Sequence, residues 1–211
     1  MANGWRRPTV ALPGRQRQAG YQLLELVVVL AISSLLLAIG VPPLVRIAAK
    51  LRVELAAAEV ASTFRVAYSF AIRHGANVGL KFHVAEDGSV SWALYRDGDG
   101  DGVLTADIAS GVDPVVQGRR RLSHLGRGVT FGFPPGPAPR DPSDPRRRLD
   151  RLDDPIRFNR SDIASFGYLG TATPGSVYLT DGTRFLAAAR VVGRTGKVTV
   201  IEYDVESETW R

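Results

Sequence analysis

The longest pattern in the chain is an apolar run from Leu26 to Val45, in which no residue is charged and Ser33 and Ser34 carry the only hydroxyls. As a helix rising ~1.5 Å per residue, a run of this length covers roughly the 30 Å hydrocarbon core of a bilayer. The pattern therefore predicts a membrane-spanning helix. One carboxylate, Glu25, stands directly before the run, and a charge beside hydrocarbon is costly and usually marks function.

The helix is predicted to continue beyond the apolar run and to end near His74, with Gly75 as its C-terminal stop. Pro42-Pro43 should kink it or open a local turn, because proline removes a backbone donor. We expect Phe64, Tyr68 and Ile72 to pack on the chain's own sheet, and residues before about Leu55 to pack on other helices. Two apolar stripes at helical spacing carry this prediction: Leu44, Ile47, Leu51, Leu55 and Ala58, then Val53, Ala57, Val60, Phe64, Ala67 and Ala71.

After Gly75 the apolar period changes from about 3.6 to 2, which is typical of half-buried strands. Asn77–Val84 and Ser89–Arg96 are predicted to pair around the turn Glu86-Asp87-Gly88. Hairpin turns are expected at Asp181-Gly182 and Arg194-Thr195-Gly196. The other predicted strands are Val129–Phe133, Ile156–Phe158, Ser176–Thr180, Phe185–Val192 and Lys197–Asp204. The predicted fold is α+β, with a long N-terminal helix packed on a small, mainly antiparallel β domain.

Composition narrows the classes of site. The length of 211 residues suits one domain and an anchor, and 45% hydrophobic residues suit a packed core. The absence of cysteine excludes disulfides, cysteine-ligated zinc and thiol nucleophiles. No two of the three histidines have metal-ligand spacing, and no hydrolase, metalloprotease or phosphate-loop motif occurs, so we do not expect an enzyme. The histidines are His74, His83 and His124.

The net charge of +6 is unevenly distributed. Four arginines and no acids lie in the first twenty residues, whereas the remaining residues carry only +2: the four are Arg6, Arg7, Arg15 and Arg17. The basic character is therefore weak evidence for nucleic-acid binding. By the positive-inside rule, the N-terminus should lie in the cytoplasm and the C-terminal domain on the other side of the membrane.

Two alternatives compete with a membrane anchor. An ordinary cleaved signal peptide also begins with basic residues and an apolar run, but this run is longer than the usual apolar region. No small-residue cleavage site follows it closely, and Pro42-Pro43 lies near its end. The buried helix of a soluble protein is the less favoured alternative.

The segment Gly20-Tyr21-Gln22-Leu23-Leu24-Glu25 resembles the class III signal of type IV pilins and type II secretion pseudopilins. The resemblance implies that prepilin peptidase cleaves between Gly20 and Tyr21 and methylates the new Tyr21 amine. Glu25 then falls at the family's fifth mature position, and Pro42 matches a proline common in the pilin helix. Tyr21 and Gln22 depart from the usual phenylalanine and threonine.

The resemblance divides the chain into a cleaved leader (1–20), a membrane and filament-core helix (21–45), its amphipathic continuation (46–75) and a periplasmic β domain (76–211). In a filament, Glu25 of one subunit meets the Tyr21 amine of a neighbour. A carboxylate at the centre of a membrane helix costs roughly 2.5–3.5 kcal/mol on insertion scales, so this pairing favours assembly. In the free monomer, Glu25 is instead expected at headgroup level.

The downstream part is similar to the GspH/FimT group of minor pseudopilins at three places: Ala71-Ile72-Arg73-His74-Gly75, the Asp/Gly loop after Tyr95, and Phe166-Gly167 through Leu179 together with Arg194 to Val198. The resemblance implies a structural subunit of the bacterial inner membrane that enters a periplasmic pseudopilus or a pilus. Its partners would be prepilin peptidase and other pilins. The alternatives are a FimT-like minor pilin that takes part in DNA uptake, and a signal-anchored periplasmic binding protein or enzyme.

Two further segments carry candidate chemistry. The Pro/Arg-rich segment 134–151 is predicted to be a mobile insertion outside this resemblance. Its arginines Arg146-Arg147-Arg148, like Arg119-Arg120-Arg121, are more simply a solvated surface than a contact for an acidic partner or nucleic acid.

The run from Asp97 to Gly102 alternates Asp and Gly and copies the first half of a calcium loop. The candidate calcium ligands are Asp97, Asp99, Asp101 and Asp107. The twelfth position, however, holds Ile108 instead of the bidentate acid that an EF-hand needs. The competing interpretation is a polar turn, in which Asp and Gly are favoured for backbone reasons.

Overall fold

The computed structural model describes residues 18–123, 126–193 and 195–211. The chain divides into two compact units, and the boundary along the sequence lies between Arg46 and Ile47. The first element, α1, runs from Gln18 to His74 and is helical throughout, including at Pro42 and Pro43. The sequence predicted either a kink or a local turn at these two prolines. The turn does not occur, because the helix is continuous there. Gly75 ends the helix as predicted, with a left-handed φ of 61° that a side chain would disfavour.

The part of α1 that follows Ile47 packs through one of its two apolar stripes. Val53, Val60 and Phe64 are almost fully buried, as are the alanines that share their stripe, Ala56, Ala57, Ala61, Ala67 and Ala71. Leu51 and Leu55 of the other stripe are 48% and 46% exposed. The prediction for Phe64 is confirmed and that for Ile72, which is 48% exposed, is wrong.

The strands that follow α1 form two antiparallel sheets. The strands are Val78–Val84 (β1), Val90–Arg96 (β2), Val115–Arg120 (β3), Thr130–Phe131 (β4), Ile156–Arg157 (β5), Ile163–Phe166 (β6), Gly175–Thr180 (β7), Leu186–Val192 (β8), Lys197–Asp204 (β9) and Thr209–Trp210 (β10), with a short helix, α2, at Thr105–Ser110. Sheet A has the order β3-β2-β1-β6, and sheet B has the order β10-β9-β8-β7-β4, with β5 also paired to β7.

The main core lies between α1 and the inner faces of both sheets. Phe64 reaches from the helix into an aromatic cluster, with ring centroids 6.2 Å from Phe82, 5.5 Å from Phe158 and 6.2 Å from Phe166. Alternation along β1, β2, β7 and β8 supplies much of the rest, since every second side chain of these strands lies in this core. The α+β prediction is confirmed, with the β domain divided into two sheets.

A second, smaller core lies on the opposite face of sheet B, under the 134–151 segment. Leu149 from that segment is 6% exposed and joins Tyr178, Leu186 and Ala188. The segment is also tied to the C-terminal strand, because the Trp210 indole N–H donates to the Arg140 carbonyl at 2.7 Å. Predicted as mobile, the segment instead makes fixed contacts with sheet B.

Glu208 strengthens this attachment through its carboxylate, which pairs with Arg140 at 3.0 Å and with Arg148 at 2.7 Å. Arg148 is thus an attachment residue, whereas Arg146 and Arg147 are exposed and make no ion pair with any described residue. The arginine run divides into one structural and two solvated residues.

Candidate functional site

The N-terminal candidate site lies in the first turns of α1. Every described side chain from Tyr21 to Arg46 is exposed. An 18-residue window in this helix has a mean hydropathy of 2.6 with none of it buried, so by length and composition the helix suffices to cross a membrane. An exposed apolar helix of this length suits a membrane anchor or a signal segment.

Glu25 is exposed and forms no ion pair within the described part of the chain. It lies four residues after Tyr21, so the two side chains share one face of the helix. The Gly20–Tyr21 peptide bond lies within the helical part of α1, three residues after the first described residue. In the intact chain the Tyr21 nitrogen is an uncharged amide.

The second candidate site is the loop that follows β2. Asp97, Asp99 and Asp101 each have one carboxylate oxygen within 4.8 Å of those of the other two. The structure thus brings together three of the four predicted ligands. The pKa of Asp101 is raised by desolvation and then by the charge of Asp99.

Asp97 also has a structural role in this loop. Its carboxylate accepts hydrogen bonds from the Gly100 N–H at 2.7 Å, the Gly102 N–H at 3.0 Å and the Asn77 side-chain amide at 2.9 Å. Burial acts to raise the pKa of Asp97, but these hydrogen bonds outweigh it and the pKa is lowered. Both oxygens are therefore already engaged in holding the turn, as in the competing interpretation from the sequence.

Asp107, the fourth predicted ligand, lies in the first turn of α2 and is not one of the three clustered carboxylates. Its pKa is raised by desolvation and then by the charges of Asp99, Asp113 and Asp97, so it lies close enough to sense them. Asp113, which the sequence analysis did not single out, is 2% exposed and accepts the Gly98 and Leu104 N–H groups, both at 3.0 Å. It fixes both ends of the loop, and nothing local in the sequence marks its burial.

The calcium prediction is tested by calorimetry on the full chain in detergent. We expect heat at millimolar calcium, the affinity range of exposed extracellular sites. The double variant Asp99→Asn/Asp101→Asn should abolish it and leave the Asp97 hydrogen bonds in place. Asp87→Asn is the matched control, because Asp87 also caps a turn by accepting the Ser89 N–H but lies outside the cluster. Absence of heat from the unmodified chain would end the calcium hypothesis.

The remaining candidates do not form a site. Arg119, Arg120 and Arg121 are exposed at the edge of sheet A. His74 stacks on Phe70 at the end of α1, with ring centroids 3.9 Å apart. The pKa of His83 is lowered by burial and by the charges of Arg119 and Lys81. His124 and Arg194, one of the predicted turn residues, lie outside the described residues.

No protein-family model, no curated protein and no solved structure matches the chain.

Proposed function

We propose that the chain is a minor pseudopilin, a structural subunit of a type II secretion pseudopilus that prepilin peptidase processes after Gly20. The observation that carries the proposal is the combination in one helix of an exposed apolar half, Glu25 at its start and a C-terminal half buried in a β domain. A core helix of a soluble protein has no reason to leave so much apolar surface uncovered.

The two halves of α1 carry two functions in this proposal. The half after Ile47 holds the β domain, which is the part of the subunit outside the membrane. The half before Arg46 is an anchor in the bilayer and afterwards a packing element in the filament core. Both environments are apolar, so the same side chains serve in each. Removal of the leader takes away four arginines, the charges that hold the N-terminus on the cytoplasmic side.

Glu25 acts when the subunit passes from the bilayer into the filament. In the membrane it is a charge with no ion-pair partner among the residues that the structure describes, and in the filament it meets the Tyr21 amine that cleavage creates. The peptidase therefore controls assembly in this proposal, because it generates the cation that Glu25 requires. A chain with an uncleaved leader carries an amide at that position and cannot form the pair.

The proposal is tested by co-expressing the chain with a prepilin peptidase and measuring the intact mass. We expect the loss of residues 1–20 and the gain of one methyl group. Gly20→Val should block both changes, because a branched side chain beside the cut obstructs access of the protease to the backbone. Gly40→Val is the matched control in the same helix, since an added Cβ there meets no atom within 4 Å.

Cleavage in the unmodified chain and in Gly40→Val, together with an intact leader in Gly20→Val, is the expected result. An unmodified chain that keeps its full mass in the presence of an active peptidase would reject the proposal. The signal-anchored binding protein or enzyme would then be the remaining interpretation.

A further inference from the structure

A polar cleft of about 560 Å³ lies on the face of sheet B that is turned away from α1. The 134–151 segment forms one wall of this outer cleft, and strands β7 and β8 form its floor. Pro142, Leu149 and Pro174 supply apolar wall. Its polar lining includes Asp141, Ser143, Arg157, Ser176, Tyr178 and Arg190.

The floor of the outer cleft follows from strand alternation. Along β8, Ala187, Ala189 and Val191 face the main core, so Arg190 lies on the opposite face. Arg190 is paired across the sheet with Ser176 of β7. A half-buried arginine on the middle of a sheet is unusual, since charged side chains normally remain in solvent unless paired. Its presence needs a reason in the groups around it.

The Arg190 guanidinium is held by three neutral acceptors. It donates to the Ser176 hydroxyl at 3.3 Å, the Pro142 carbonyl at 3.2 Å and the Ser143 hydroxyl at 2.7 Å. A guanidinium has five N–H groups. Each of the two terminal nitrogens therefore keeps one N–H with no acceptor in the described part of the chain, and the orientation of the group is already fixed.

Arg190 makes no ion pair with any described residue. The neighbouring Arg157 differs in this respect, because it pairs with Asp150 at 3.1 Å and lies against the rings of Phe133 and Tyr178. Asp141 lines the outer cleft, but its carboxylate accepts the Ser143 N–H at 2.7 Å and makes no ion pair with Arg190. The cleft thus contains one oriented cation with free donors.

We infer that the outer cleft binds a carboxylate of an extended acidic segment of a partner protein, with Arg190 as the anchor. A planar guanidinium matches a carboxylate through two parallel hydrogen bonds, and the Ser143 and Ser176 hydroxyls lie beside it as additional donors. A volume of this size holds a side chain with its flanking backbone, not only an ion. The Asp141 carboxylate repels a dianion more than a monoanion, which favours carboxylate over phosphate.

This inference does not depend on processing or on filament assembly, so it can fail while the proposed function stands. It assigns the 134–151 segment a role as the wall of a binding site, in addition to its packing on sheet B. The expected partner carries glutamate or aspartate next to apolar residues, because Leu149 and the two prolines line the cleft beside the cation.

The test measures fluorescence anisotropy of a labelled hexaglutamate peptide with the full chain in detergent micelles. We expect binding that a hexaglutamine peptide does not show. Arg190→Gln removes the charge and keeps amide donors for the 134–151 segment, and it should weaken binding by at least about tenfold, as for loss of a charge-assisted hydrogen bond. Arg146→Gln removes the same charge at an exposed position outside the cleft and should change affinity by less than about twofold, because exposed charges are screened.

Thermal unfolding of each variant separates binding from stability. Should Arg190→Gln fail to fold, Arg190→Lys decides, because lysine keeps the charge and loses the planar fork; we expect affinity to fall by at least about threefold. Equal losses in Arg190→Gln and Arg146→Gln, or equal binding of hexaglutamine, would overturn the inference. Displacement of the peptide by inorganic phosphate at concentrations where acetate has no effect would also overturn it.

Discussion

Glu25→Ala is expected to remove the chain from filaments while leaving its insertion into the membrane intact. The substitution takes a carboxylate out of a helix that otherwise carries no charge up to Val45, so insertion becomes easier by up to roughly 2.5–3.5 kcal/mol. Under the proposed function, however, it leaves the methylated Tyr21 amine of a neighbouring subunit in the filament without its anion. Removal of one partner of a buried ion pair typically costs about 3–5 kcal/mol.

That cost corresponds to a loss of incorporation of more than about a hundredfold, since each 1.4 kcal/mol is a factor of ten. Glu25→Gln should resemble Glu25→Ala, because an amide of the same size lacks the charge. Ser33→Ala is the matched control in the apolar run, where the change is small and removes no charge. The measurement is the ratio of this chain to the major subunit in sheared filaments, with the membrane fraction as reference.

A lower amount of the Glu25→Ala chain in filaments, with no loss from the membrane fraction, identifies Glu25 as an assembly contact. Retention of Glu25→Ala in filaments at the level of Ser33→Ala would contradict the pairing and return Glu25 to the headgroup interpretation. Loss from both fractions would point to degradation, which the Ser33→Ala chain and intact-mass analysis would reveal. Processing after Gly20 should be unaffected in every variant, because none of them changes the residues at the cut.

The sequence predicted those elements whose pattern is repeated and local. The 3.6-residue period located α1 to its last residue, and strict alternation located β1 and β2 within one residue. Lys197–Asp204 was predicted residue for residue. In each case the pattern repeats over several helical turns or several strand alternations, so one exceptional residue does not change the prediction.

The sequence missed elements that depend on distant partners. Strand β3 is mostly exposed and shows no apolar alternation, and it is a strand only because β2 lies beside it. The 134–151 segment is ordered by Glu208 and Trp210, which are about sixty to seventy residues away in the chain. Asp113 is likewise defined by the loop ends that it joins. From composition such segments are only polar, and the distant residues that they contact cannot be predicted.

The helix face shows where periodicity alone becomes ambiguous. Phe64, Tyr68 and Ile72 follow one another at intervals of four and were predicted to share the packing face. Ala71, not Ile72, is the fully buried residue at the end of α1. Adjacent helical positions differ by about 100° around the axis, so covering one stripe exposes the other. The sheets cover the stripe that holds Phe64 and Ala71, and Ile72, which lies beside that stripe, remains outside.

Because Phe64 is buried and Ile72 is half exposed, replacing each of them by alanine should lower the free energy of unfolding by very different amounts. Phe64→Ala should reduce the free energy of unfolding by about 3–5 kcal/mol, because Phe64 is fully buried among three other rings and its removal leaves a cavity. Ile72→Ala should cost less than about 1 kcal/mol, since almost half of that side chain is already in solvent.

Denaturant unfolding of the full chain in detergent, followed by tryptophan fluorescence, measures both costs. Trp92 lies in the main core with its ring centroid 6.2 Å from that of Phe82, so its emission reports loss of the β domain. An equal loss of unfolding free energy in the two variants would show that Ile72 is buried. The prediction that Phe64, Tyr68 and Ile72 share the packing face would then be correct. A large cost for Phe64→Ala alone places the boundary of the core between the two stripes, and leaves the exposed stripe free for contacts with other helices.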